Sequence, residues 1–235
     1  MNPDLKGKVI AITGAFGTLG LAVAREAVAL GAKVALLDRV HPDLQTLPGA
    51  LDGALCLGGI DLTCQASAQE AFARIATHYG ALDGLLNIAG GFRWETLEDG
   101  DLASWDLLYN MNVRTSITAS KAALALLLQS PAGRIVNIGA GAAVKASIGM
   151  GAYAASKAGV ARLTESLADE LKERGVTVNA VLPSIIDTPQ NRIDMPDADF
   201  ASWVSPRELA AVILFLASDR ASAVTGALIP VSGRV

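Results

Sequence analysis

KVIAITGAFGTLGLAVAREAVALGAKVALLD, residues 8–38, runs from an apolar segment through a glycine-rich turn and an amphipathic stretch into a second apolar segment. KVIAIT (8–13) and KVALLD (33–38) are apolar on successive residues instead of alternating, the pattern of strands whose sheet is covered on both faces. Between them LGLAVAREAVALG (19–31) has helical spacing and ends on Gly31, a helix stop. Two strands joined by a helical crossover of this length form a βαβ unit, so they run parallel.

The same alternation continues along the chain. Further apolar runs are ALCLGGID (54–61), GLLNIAG (84–90), RIVNIG (134–139), VTVNAVLP (176–183) and ALIPVSG (227–233). Helix-patterned segments cover 67–80, 101–128, 152–175 and 205–219, the third ending at Gly175 and the last opening with SPRE, a serine cap, a proline and a capping-box glutamate. No linker divides the chain, and residues 1–235 are expected to form a single Rossmann-type domain, a doubly wound parallel sheet in three α/β/α layers. Segments 39–53 and 184–204 are expected as loops, the second carrying Met195, Phe200 and Trp203 over a pocket.

Of the 235 residues 51% are hydrophobic and 18% charged, with a net charge of −4, which describes a chain with ample material for a core. No run of Lys or Arg offers a footprint for nucleic acid. AALALLL and AAVILFLA fall well short of the roughly 18 residues of a membrane span, and the N-terminus has no apolar region before a cleavage-like site. Cys56 and Cys64, eight apart without a nearby histidine, suggest neither a disulfide framework nor a metal site, and His41 and His78 are expected to be solvated. A cytoplasmic protein is expected, with small molecules or copies of itself as partners, no nucleic acid and no membrane.

The turn TGAFGTLG (13–20) holds Gly14, Gly17 and Gly20, with Phe16, Thr18 and Leu19 between them. Between a strand and a helix, such a series lets backbone approach a pyrophosphate at the helix N-terminus. The second strand ends at Asp38, whose carboxylate would accept hydrogen bonds from an adenosine ribose and repel a 2′-phosphate. This favours NADH; Arg39 next to it leaves NADPH open.

Tyr153 and Lys157, four apart in an expected helical first turn, share a face. An ammonium beside a phenol is expected to lower its pKa from about 10 and make it the proton donor that hydride transfer requires. The approach to the pair, Gly139 to Ala143, has no polar side chain. Together with DL at 61–62, NIAG at 87–90, Asn112 and VLPSIIDTP at 182–189, these motifs resemble the short-chain dehydrogenase/reductase family over essentially the whole chain. The resemblance implies that Asp61 and Leu62 line the adenine, and Asn87, Ala89 and Gly90 the ribose side. Pro183, Ser184, Ile186 and Thr188 would also contact the cofactor, the last two at the nicotinamide carboxamide. Lys157 would be a ribose ligand, and Asn112 would hold a water in a proton relay with it.

Three positions depart from the common pattern of that family. Ala140 stands thirteen before Tyr153, where a serine hydroxyl usually polarises the substrate carbonyl; the middle glycine is Gly17 with Thr18 after it; and Pro183 is followed by Ser184. The dihydropteridine reductase branch is similar in these respects, and also in Ala89-Gly90-Gly91-Phe92, in GMGAYAASKAG and in the segment 180–203. That likeness implies NADH-dependent reduction of a quinonoid dihydropterin, an activated imine. The alternatives are an NAD(P)H-dependent carbonyl or 3-oxoacyl reductase and a catalytically weakened nucleotide-binding protein. Phe92, Trp94, Met150, Met195 and Trp203 are candidates to stack on a flat ring, Ser147 is a candidate replacement hydroxyl, and Trp105 is expected in the core. Small-residue faces at 115–125 and 154–168 resemble the helices through which the family forms a homodimer or homotetramer.

Overall fold

Every apolar run forms a strand, and each strand is parallel to its neighbours in the computed structural model, which describes residues 5–42 and 47–235. The strands are β1 (Val9–Thr13), β2 (Lys33–Leu37), β3 (Leu55–Leu57), β4 (Gly84–Asn87), β5 (Gly133–Ile138), β6 (Val176–Pro183) and β7 (Leu228–Val231). They lie in the order β3-β2-β1-β4-β5-β6-β7. The chain therefore builds outward from β1 in one direction, then returns to its other edge with β4. That reversal opens a crevice at the carboxyl ends of β1 and β4, where ligands bind in open α/β sheets.

Side chains alternate across the strands and sort into two cores. Ile10, Ile12, Leu36, Leu86, Val136 and Val181 pack with residues of α1 (Thr18–Ala29) and α7 (Pro206–Leu216). Val9, Ala11, Leu37, Leu85, Ile135 and Val178 pack on the opposite face with α2 (Gln65–Tyr79) and α4 (Thr115–Leu127). Because both faces are covered, Val9 through Thr13 are buried without exception, which explains their unbroken apolar character.

The expected caps are present. Gly31 and Gly175 take φ of 87° and 75°, which a side chain rarely adopts, and Ser205 and Glu208 form the reciprocal capping box of α7. Other expectations change. The run 54–61 is a strand only over Leu55–Leu57, and 84–90 ends as a strand at Asn87. The segment 101–128 is α3 (Leu102–Leu108) and α4 joined by a π-helical stretch, Tyr109–Arg114. In 184–204 the chain forms α6 (Pro189–Asp194) and a bridge from Ile186 to Val204 instead of a plain loop. Part of the expected 39–53 loop, residues 43–46, lies outside the described residues. Trp105 is 41% exposed, not core; its ring lies beside Gly151 and borders a cavity. His41 is exposed as expected, yet its ring covers Gly58 and Gly59, and His78 meets Tyr79 edge-on. Among the described residues no helix is long and apolar enough to cross a membrane.

Phe72, 2% exposed, is the largest side chain in the core beneath α2. Phe72→Ala is expected to cost about 3–5 kcal/mol, read as a lower urea midpoint with the denaturant slope unchanged.

Candidate active site

β1 ends at Thr13, whose hydroxyl accepts hydrogen bonds from the Ile88 N–H (3.0 Å) and the Ala89 N–H (3.1 Å). This ties the carboxyl ends of β1 and β4 together at the crevice. The glycine turn follows. At Gly14, φ is 62° and a Cβ would stand 2.8 Å from the Ala89 backbone; at Gly20 a Cβ would stand 2.2 Å from the Gly14 carbonyl oxygen. Both are bare because the fold closes on them. Gly17 differs: φ is −76° and the nearest atom to an added Cβ is 3.5 Å away, so nothing in the chain itself requires its bareness. Gly17 also caps α1 without a side-chain hydrogen bond, leaving the first-turn N–H groups of Thr18, Leu19 and Gly20 available along the cleft. That donor set and that open approach fit a pyrophosphate.

The cleft holds about 520 Å³ and is lined by Gly14, Gly17, Thr18, Leu19, Gly20, Asp38, Arg39, Asp61, Leu62, Ala89, Gly90 and Thr188 among the expected residues. Asp38 is oriented by two backbone donors, the N–H of Phe16 (3.0 Å) and of Val40 (3.2 Å). Phe16 thus serves the site through its backbone, while its ring packs into the core beside α1. Asp61 accepts from the Thr63 hydroxyl and N–H, which hold its carboxyl below the usual range.

Tyr153 and Lys157 stand in α5 (Gly151–Leu171), Tyr153 in its first turn. The Lys157 amine, 5% exposed, donates to the Ile138 carbonyl at 2.8 Å and sits 6.0 Å from the centre of the Tyr153 ring. The expected lowering of the phenol pKa does not occur in this arrangement. Burial dominates both groups, pushing Tyr153 up to about 12 and Lys157 down to about 8. The phenol is therefore held protonated, and the amine is mainly charged at neutral pH.

Asn112 lies in the π-helical stretch, 1% exposed. Its side chain accepts from the Gly91 N–H (2.9 Å) and donates to the Gly91 carbonyl (3.1 Å) and the Ser156 hydroxyl (2.9 Å). Its backbone carbonyl accepts from the Ser116 hydroxyl. It clamps the segment after β4. A Cβ on Gly90 would stand 2.6 Å from the Asn112 oxygen and 3.4 Å from the Lys157 amine, so Gly90 lets both come close.

Several expected contacts fall elsewhere. The Asn87 amide is turned into the sheet, donating to Ser120 and Asn137, so its side chain is not at the cleft. Pro183, Ser184 and Ile186 lie at the end of β6 and, like Tyr153, Lys157 and Asn112, stand outside the lining of the cleft itself: Ser184 donates to the Ser232 carbonyl, and Ile186 packs toward α7. Trp203 is buried against Phe200, which removes it from the ring-stacking set. Ser147 lines a separate cavity with Trp105 and Gly151. Conversely, Asn110, Met111 and Thr115 line the cleft although the sequence pattern did not single them out. The π-helical stretch shifts the helical phase there, and no 3.6-residue pattern announces it.

Two predictions follow from this geometry. Gly17→Ala is expected to weaken nucleotide binding while keeping stability within about 0.5 kcal/mol; Gly20→Ala is expected to lose more than about 2 kcal/mol, both read by urea denaturation with an NADH fluorescence titration. Because burial depresses Lys157 from 10.5 to about 8, the unfolded chain binds more protons between those values. The stability of the wild type relative to Lys157→Met should therefore rise as pH increases from about 8 toward 10.5, measured as the difference in Tm across that window.

Comparison with known proteins agrees with the fold. Residues 8–198 match the family described as short chain dehydrogenase. 2-(S)-hydroxypropyl-CoM dehydrogenase 3 of Xanthobacter autotrophicus is 36% identical, covering 99% of this chain and 98% of that protein. The 3-oxoacyl (acyl-carrier-protein) reductase FabG of Thermotoga maritima is 32% identical over 97% of this chain and 98% of its own length. Among solved structures, aldohexose dehydrogenase of Thermoplasma acidophilum superposes with a TM-score of 0.88 at 27% identity, covering 99% of this chain and 95% of that one. These relatives carry the broad resemblance and not the narrower one to dihydropteridine reductases. The chain belongs to the short-chain dehydrogenase/reductase family.

Proposed function

We propose that the protein is an NADH-preferring reductase of a small carbonyl compound, with Tyr153 as the proton donor. The observation that carries the reading is the placement of a protonated phenol and a buried amine in one helix beside a cleft whose glycine turn is open to a pyrophosphate. The Gly14–Gly20 turn would hold the pyrophosphate, Asp38 the adenosine ribose, Asp61 and Leu62 the adenine, Ala89, Gly90 and Lys157 the second ribose, and Thr188 the carboxamide. The reduced nicotinamide, when bound, supplies the hydride. Tyr153 delivers the proton to the substrate oxygen, and the Lys157 charge favours the phenolate that forms. The names of the relatives, a 3-oxoacyl reductase and a dehydrogenase of a hydroxypropyl compound, support carbonyl chemistry over a pterin. A quinonoid dihydropterin stays as a second reading on one observation, the alanine at 140, since an activated imine accepts hydride with less polarisation. A cytoplasmic homodimer or homotetramer paired through α4 and α5 belongs to the same proposal.

The test is loss of NADH absorbance with a ketone, a 3-oxoacyl thioester and a quinonoid dihydropterin. Carbonyl turnover is expected, and Tyr153→Phe should lower it about 10²–10⁴-fold with NADH affinity retained. Turnover of the pterin alone would favour the second reading, and binding without turnover would favour a nucleotide-binding protein. Faster reaction with NADPH would overturn the cofactor preference; otherwise Asp38→Ser should narrow the preference for NADH.

A further inference from the structure

We propose that Phe92 and Trp94 form the substrate subsite, and that the substrate is a flat aromatic compound whose reacting carbonyl is activated by an adjacent carbonyl, a ring-fused 1,2-dione. The inference rests on the reductase reading. It starts from the scarcity of hydrogen-bond donors. Residues 139–144 carry no polar side chain. The Asn112 amide is committed to Gly91 and Ser156, the Ser156 hydroxyl to the Tyr153 carbonyl, and the Lys157 amine to the Ile138 carbonyl. Ser147 faces the other cavity. Apart from the Lys157 ammonium, whose remaining N–H groups the reductase reading assigns to the second ribose, Tyr153 is the one side-chain donor of this set left for a substrate oxygen. Lack of a single preorganised donor costs about 10²–10³-fold in rate on an ordinary carbonyl. A carbonyl made electron-poor by its neighbour offsets that loss from within the substrate.

The walls point to the shape. Phe92 meets the Tyr153 ring edge-on, 4.8 Å between centres at 87°, and remains 52% exposed. Trp94 lies directly over Gly149, where no Cβ intervenes, and is 54% exposed. A hydrogen bond from the Glu95 N–H to the Gly149 carbonyl, 2.9 Å, joins the two segments, and the second segment adds exposed Val144 and Ile148. Large apolar side chains gathered on two joined segments gain by being covered, and aromatic rings favour a flat partner. Arg93 does not oppose this, because its guanidinium is turned to Ser104 (2.8 Å) and Glu95 (3.9 Å). Lys145 is the remaining cation on these segments.

In the reaction the carbonyl carbon accepts hydride from the reduced dinucleotide, the π pair moves to oxygen, and that oxygen takes the Tyr153 proton. The products are an α-hydroxyketone (here a hydroxy-lactam for an amide-flanked dione) and the oxidised dinucleotide, and the phenolate regains a proton from solvent.

Four substrates separate the contributions: indoline-2,3-dione, flat and activated; butane-2,3-dione, activated only; acetophenone, flat only; and 3-oxobutanoyl thioester, neither. The wild type is expected to show kcat/KM about 100-fold higher for indoline-2,3-dione than for acetophenone and about 10-fold higher than for butane-2,3-dione. Phe92→Ala should raise KM for indoline-2,3-dione about 10-fold more than it raises KM for butane-2,3-dione, with NADH affinity retained. Indoline-2,3-dione should quench tryptophan fluorescence without nucleotide, and Trp94→Phe should remove most of that quenching. Preference for the thioester, or an equal effect of Phe92→Ala on both diones, would overturn the subsite and leave the reductase reading standing. Turnover of none of the four would overturn both.

Discussion

The Thr13 hydroxyl is a single group on which the whole cleft is registered. By accepting from two successive N–H groups after β4, it fixes the distance between the strands at which the sheet reverses its direction of growth. Gly14 can then pass against Ala89 with no room for a side chain, and Gly20 can pass under Gly14. Gly90 follows Ala89 directly, and its bareness admits both Asn112 and Lys157. One hydroxyl at a strand end thus links the glycine-turn side of the crevice to the side that carries Asn112 and Lys157. An isolated strand pair without such a tie would gain nothing from glycines placed at these spacings.

Beneath the site the amide nitrogens of Asn87 and Asn137 are bound into one network, while the Asn87 side-chain oxygen has no partner among the described residues. The Asn87 amide donates to Asn137, whose amide donates to the Thr164 hydroxyl on α5. Asn87 and Asn137 are also direct partners in the β4–β5 register. A one-residue slip between these strands would separate the two amides and strand them in an apolar interior, at a cost of about 1–3 kcal/mol for each unpaired group. The network therefore favours the one alignment that brings α5, and with it Tyr153 and Lys157, to the crevice.

The fold was legible because burial on both sheet faces writes itself into the strands as unbroken apolar runs, from Ile10 to Val181. The glycine turn and Asp38 were legible because backbone conformation and close approach select residue type locally. What depends on a long-range environment was not. No spacing rule says that burial outweighs the Lys157 charge at Tyr153, since that balance depends on how deeply the surrounding elements cover each group. Asn112 was found by its motif, yet its attachment to Gly91 requires a π-helical turn, which carries no periodic signature. Trp105 was misjudged because helical spacing tells which residues share a face and not how completely another element covers it.

The segment after β4 is fastened at two points, by Asn112 at Gly91 and by Gly149 at Glu95, and the aromatic residues lie between these anchors. A segment held this way has little conformational freedom left to lose when it is covered. The same fastening limits adaptation. A change in the path of residues 92–94 would have to break the hydrogen bonds at Gly91 or Glu95, so the spacing of the two rings is set when the chain folds.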